Sequence, residues 1–466
     1  MLNKKRCVLL LLISITILLI ILLGFFPGII PYDGNNQWMQ VQSGLITNEH
    51  PFFSTFFMYL LSKLWNNITV VIVYQILLFS FSWTYLCKTI NVDKKFKVWI
   101  IYIYTIIVML IPLVSMYTIT VWKDIIYTIY LFLCAIMLYE WSNNNYKFSV
   151  LKHSVLGVLL AMVFSYRHNG IIVAVLILLS FYVLCVHLYR KKIVTIDNFK
   201  KSFFTLIAFI IIFSVIQIPK KIMLNDSDKK LENNEVTYST VDWYMLWMMG
   251  AHITDNNIKN RDDKMFLNNI IPLDEWKNAY NAYLINNIGS APHLDKEYLV
   301  KNDSKFRKMF IDYSLKNPLT IVKHYSKSDA ILINPVASIK GYVYVYPFPE
   351  LVYLPEYTRI KPVLKQVDSF YIRLIDASLS KPFVLFYQPS IILFLSIIIT
   401  AILAVKVYSK KIWLFSLPMI LNTLSLLLIN IAQDLRYVYI NYLTFFGLLL
   451  MLILNLDKIF KRNSNK

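Results

Sequence analysis

One short stretch, PYDGNNQWMQVQSGLITNEHP (Pro31–Pro51), carries two carboxylates and an imidazole: Asp33, Glu49 and His50. A carboxylate of this kind can take a proton from a hydroxyl group, and an imidazole nearby can position or relay one. Three later stretches add charge: Lys123 and Asp124 in VWKDI, Arg167 and His168 in SYRHNG, and Asp434 and Arg436 in QDLRYVY. Lysine and arginine suit an anion such as a phosphate, and a second carboxylate suits a base or a metal ion. Gly34 and Gly44 loosen the first stretch, and Pro31 and Pro51 punctuate its ends, so it reads as a loop forming the floor of a site.

The surroundings are hydrocarbon. Of 466 residues, 57% are hydrophobic and 16% charged, with a mean hydropathy of +0.54; that is the composition of a polytopic membrane protein. A net charge of +20 would fit nucleic acid, but the basic residues sit in short connections between apolar runs and not along one face, which excludes that partner. The four cysteines (Cys7, Cys87, Cys134, Cys185) lie in or at the ends of apolar runs without a CxxC pair, so neither disulfides nor a zinc site is expected.

The apolar runs predict about ten transmembrane helices with both termini inside. In chain order they are Val8–Phe26, Ile68–Cys87, Val98–Tyr117, Ile125–Trp141, His153–Tyr166, Ile171–Tyr189, Ser202–Ile218, Phe383–Val405, Ile412–Ala432 and Tyr437–Leu454. Phe52–Trp65 is too short to span and reads as an interfacial helix. Residues 1–218 then form an N-terminal membrane module with a first outer loop at 31–67. Residues 219–382 form a polar extracytoplasmic domain of mixed α/β structure, and 383–466 a C-terminal membrane module. In the polar domain Asp274–Asn286 and Lys305–Leu315 look helical, while Gly341–Pro349 alternates like a strand. Charge supports the orientation: roughly 21 Lys/Arg fall in short inner segments against about four in short outer ones.

Each small outer turn of this arrangement holds a charge that a plain connection does not need. A bland account exists for every one. Lys123–Asp124 could be a local ion pair, Glu49-His50-Pro51 a helix cap, and Arg436 with Tyr437 and Tyr439 part of an aromatic belt. The tyrosines of Gly341–Pro349 could stack on sugar, though a packed strand explains them as well. His252, His293 and His324 lack ligand spacing. No Walker loop, GxGxxG, HExxH or GxSxG motif stands where a strand and helix would support it.

In NEHPFF, VWKDI, SYRHNG and DLRYVY, and in its whole layout, the chain resembles the GT-C superfamily of polytopic membrane glycosyltransferases, and within it a bacterial membrane-protein family. The resemblance implies a polyprenyl-phosphate-linked sugar as donor and an envelope glycan, teichoic acid, lipid or protein as acceptor, at the outer face of the plasma membrane. It implies Asp33 as the catalytic base and Lys123, Arg167, His168 and Arg436 as holders of the donor phosphate. Glu49 and His50 would position acceptor or donor. Asp124 would bind the donor or a divalent metal ion (Mg or Mn). The acidic pair common in protein O-mannosyltransferases is absent, because Gly34 follows Asp33.

Competing readings are a flippase or transporter of lipid-linked sugar, a polysaccharide polymerase sharing the same substrates, and a receptor whose outer domain binds a ligand. A flippase would want polar groups mid-span or half-broken helices; Pro112, Pro389 and Pro418 lie in or near spans, but ionisable residues there are scarce.

Overall fold

The computed structural model describes residues 2–90, 95–230, 240–336, 361–380 and 383–460. The expected strand at Gly341–Pro349 lies outside these. The chain divides into two units, one of Met1–Lys229, Tyr344–Ser425 and Arg436–Lys466, the other of Lys230–Val343 and Leu426–Leu435.

The first unit is a bundle of apolar helices. It begins with α1 (Lys4–Gly24), α2 (Tyr32–Ser43), α3 (Phe52–Ser62), α4 (Thr69–Thr89), α5 (Lys95–Leu110) and α6 (Pro112–Thr118). It continues with α7 (Lys123–Asn143), α8 (Val150–Tyr166), α9 (Gly170–Arg190) and α10 (Ile196–Lys230). Helix α7 is the centre: 94% of its apolar window is buried, against 33% in α1 and α9, and it packs against α4, α8 and the helix Tyr439–Leu454. Its sequence, IIYTIYLFLCAIML, is apolar all round, the pattern of a helix enclosed by others.

Among the described residues seven helices are long and apolar enough to cross a membrane, or eight if α5 and α6 make one bent span. The chain is thus an α-helical, multi-pass membrane protein. The run expected to cross at Val98–Tyr117 bends by 67° at Ile111–Pro112, because proline cannot donate the next helical hydrogen bond and its ring crowds the preceding turn. The long apolar segment Pro389–Ile429 is not straight either. The Thr400 and Ser416 hydroxyls are 2.7 Å apart, where a continuous helix would separate them by about 24 Å. The segment folds back near Ser409 (φ +59°).

Of the mixed α/β domain expected, the described residues show the helical part: they carry helices and, beyond an isolated bridge between Leu284 and Ala432, no strand. Residues 240–336 supply Thr240–Thr254, Arg261–Ile270, Asp303–Lys316 and Pro318–Ser328, with shorter turns between them. Helix starts are marked chemically: the Asn260 side chain accepts from the Asp262 N–H, that of Asp295, ahead of the short helix Lys296–Lys301, from the Tyr298 N–H, and Pro318 opens its helix. The first three of the four longer helices turn an apolar side to a core that includes Leu246, Trp247, Ile253, Phe266, Leu267 and Phe306, while Pro318–Ser328 buries Thr320, His324 and Ser328. The expected helix Asp274–Asn286 is shorter, Leu273–Ala279, while Lys305–Leu315 falls inside Asp303–Lys316.

Candidate functional site

The first stretch is not a loop. Tyr32–Ser43 is helix α2, opened by Pro31 and closed by Gly44 at φ +72°, so Asp33 stands in a first helical turn, where the exposed N–H groups favour a negative charge. Lys123 and Asp124 likewise open α7 and do not form a separate turn. Two extended segments bring these helix starts together. The Ile29 N–H donates to the Ile119 carbonyl (3.0 Å) and the Val121 N–H to the Ile29 carbonyl (2.9 Å). From α4, the buried Gln75 amide donates to the carbonyls of Thr118 and Thr120 at 2.9 and 2.8 Å. Gly34 completes the approach: a Cβ there would meet the Val121 carbonyl oxygen at 2.5 Å, so a side chain would push α2 off α7.

Six of the residues singled out by sequence are thereby gathered. Lys123 Nζ lies 3.5 Å from Asp33 Oδ2 and 3.2 Å from His50 Nδ1. Arg436 Nη1 reaches the same Asp33 oxygen at 2.9 Å, and its Nε faces Asp124 Oδ2 at 3.9 Å. Arg167 Nε lies 3.0 Å from Asp124 Oδ1. The Tyr437 ring sits under both guanidinium groups, 4.2 Å from Arg167 Cζ and 5.1 Å from Arg436 Cζ, and Trp122 lies 5.2 Å from the latter. The side chains of Lys123, Arg167 and Arg436 are only 11–14% exposed; charges so covered persist because each faces an opposite one.

Electrostatics fix the protonation states. Burial pushes the Asp33 carboxyl upward, but Lys123, Arg436 and His50 outweigh it and hold it well below the usual carboxylate range. Burial, then the Lys123 charge, pull the His50 imidazole down to about 3 against the opposing carboxylates of Asp33 and Asp124. His50 is therefore neutral at pH 7. Three cations face two carboxylates, leaving one positive charge in excess.

No family model, curated protein or solved structure matches this chain.

The expected metal ligand fits poorly. Both oxygens of Asp124, which is 1% exposed, face guanidinium groups, and among the described residues no three of His, Cys, Asp and Glu stand together as a metal site. A divalent cation needs oxygen ligands free of such neighbours. Two expected residues stay at the margin. Glu49 is exposed and accepts from the Asn36 amide at 3.3 Å, and His168 is exposed beside Arg167. Asp434 belongs to the second unit, whereas Arg436 belongs to the first.

A half-open pocket of about 110 Å³ adjoins Arg167. Its lining includes Arg167, His168 and Lys220 together with Phe52, Phe53, Phe164 and Phe213. Lys220 is not among the residues the sequence singles out, because Pro219 looks like the start of the polar domain; α10 runs through that proline. Tyr437 stands in the sequence only as a belt aromatic. The adjacency of Tyr437 to Arg436, and of Trp122 to Lys123, was the available signal, since rings beside cations serve as their faces.

Proposed function

We propose that this protein is a glycosyltransferase of the GT-C type, moving a sugar from a polyprenyl-phosphate carrier to an acceptor at the outer face of the plasma membrane. The acceptor class is an envelope polysaccharide, teichoic acid, lipid or protein. In this reading the chain crosses about ten times with both termini inside. Helix α8, the two legs of Pro389–Ile429 and the bent α5–α6 pair then count as crossings, and the second unit is extracytoplasmic.

One observation carries the proposal: a cation-rich cluster drawn from four separate segments shares Arg167 with a pocket whose lining combines Arg167, His168 and Lys220 with the rings of Phe52, Phe53, Phe164 and Phe213. A phosphate with a hydrocarbon tail combines the same two chemistries. Lys123, Arg167 and Arg436 would hold the phosphate, and stabilising the charge that develops on a leaving group is often the largest catalytic contribution. In the transfer step the acceptor oxygen attacks the anomeric carbon with inversion. Its proton passes to Asp33, and the carbon–oxygen bond to phosphate breaks with its electron pair leaving on the phosphate. Asp33 is a weak base while Lys123 and Arg436 both hold it. A phosphate that draws those cations away raises its proton affinity at the moment it is needed.

The test is transfer of radiolabelled sugar from polyprenyl-phosphate carriers by purified protein in liposomes. Asp33→Asn, inserted and expressed normally, is expected to lose transfer; retained transfer removes Asp33 from the mechanism. The bent pair α5–α6 favours a second reading, a flippase of lipid-linked sugar, since broken helices line many transport sites. Movement of lipid-linked sugar between leaflets with no acceptor present would decide for it.

A further inference from the structure

His50 enters the cluster through one nitrogen only. Its Nδ1 is 3.2 Å from Lys123 Nζ, and that ammonium group pairs with Asp33 at 3.5 Å. An ammonium group has three donors and no acceptor, so Nδ1 must accept. A neutral imidazole whose Nδ1 accepts carries its single proton on Nε2. That nitrogen is buried and has no hydrogen-bond partner, although buried donors are nearly always satisfied. The charged groups acting on the ring are Lys123, Asp33, Asp124 and Arg436. The two cations oppose a second proton.

We infer that His50 is a neutral, tautomer-locked donor whose Nε2–H is reserved for an oxyanion, of the phosphate class, brought into the Lys123–Arg436 cluster. Resting on the transferase reading, this narrows the role of His50. The ring is neither base nor proton relay: its basic nitrogen is occupied by Lys123, and the other nitrogen can only give a hydrogen bond. It would add an uncharged donor to the charged ones, and its contribution would not vary with pH through the neutral range.

Selective ¹⁵N-histidine labelling of the full chain in nanodiscs tests this without any turnover. Seven histidines contribute signals, and the one lost in His50→Gln identifies His50. The expected spectrum shows a neutral ring with the proton on Nε2, unchanged between pH 5.5 and 8. Titration with dodecyl phosphate is expected to shift the Nε2–H resonance, and the glutamine variant, which keeps a donor, to bind the probe within about threefold of the parent. His50→Phe is expected to bind at least tenfold more weakly. A proton on Nδ1, an imidazolium forming near pH 6, or a resonance that dodecyl phosphate leaves in place would each overturn the inference. None of these results would alter the sugar-transfer test of Asp33, so the two readings fail separately.

Discussion

Arg436 donates to Asp33 across 2.9 Å, joining positions 403 residues apart in the chain. The same carboxylate oxygen faces Lys123, so a residue from the first helical turn of α2 is shared by a cation at the start of α7 and one near the end of the sequence. Breaking one side of such a covered pair leaves the other charge uncompensated. Asp33→Asn and Arg436→Gln should therefore each lower the melting temperature of the detergent-solubilised protein, with the double variant losing less than the sum. A coupling of about 1–3 kcal/mol is expected; additive losses would show that the two groups do not act on each other.

Asp124 should matter more to stability than Asp33. It is 1% exposed and faces both Arg167 and Arg436, whereas the Asp33 side chain keeps 27% of its surface. Removing the deeper charge takes the carboxylate from Arg167 and leaves Arg436 with Asp33 alone, at a cost of about 3–5 kcal/mol. Comparing thermal unfolding of Asp124→Asn and Asp33→Asn checks the order, and a smaller loss for Asp124→Asn would reverse it.

Two glycines of the first stretch should respond differently to alanine. At Gly34 the new methyl meets the Val121 carbonyl at 2.5 Å, and relief requires α2 to shift, at about 1–3 kcal/mol. At Gly44 the space is open and only the left-handed backbone, φ +72°, resists, at about 1 kcal/mol. The first variant should also change dodecyl phosphate affinity, because Asp33 moves relative to Lys123 and Arg436, the cations that would hold the probe, and the second should keep it. Equal affinities would remove Gly34 from the architecture of the site.

The second unit carries a pH dependence of its own. Asp329 is buried, with the Ser328 hydroxyl 3.3 Å from Oδ1, and burial raises its carboxyl to about 7 despite bonds to Asn430 and Ser328. The folded state thus keeps a proton that the unfolded chain releases near its ordinary value of 3.8. The stability from that proton is full below pH 4 and is lost as pH rises through 7. Melting of the parent compared with Asp329→Asn between pH 4 and 8 should show the difference in that direction. Identical profiles would mean that Asp329 ionises freely in the fold.

Much of the site could be read from residue types. Charges at the ends of apolar runs are costly unless paired or used, and Asp33, Lys123, Asp124, Arg167 and Arg436 do meet. Their local structure was harder to see. Asp, Gly and Asn in YDGNN signal a turn, yet Pro31 ahead of an acidic first turn is equally a helix start, and tertiary pairing of residues 29 and 120 settles the choice. The pocket could not be seen at all, because Asn48, Phe164 and Lys220 have no periodic relation in sequence. The polar segment was expected to mix strand and helix because its apolar stretches are short. Short helices sharing one core need no more.

The Asp33–Arg436 bond also sets an order of events during synthesis. The ribosome delivers Asp33 to the translocation machinery some 403 residues before the arginine that balances it exists. Every chain therefore passes through a long interval with this acid held by Lys123 alone, and a chain stopped short of Arg436 never leaves it. Quality-control proteases should clear a protein ending at Asn430 faster than the full chain, as pulse–chase labelling would register, while Asp33→Asn should lengthen the life of the shortened form. Equal lifetimes for that form with and without Asp33 would mean that this late-arriving partner is not what surveillance reads.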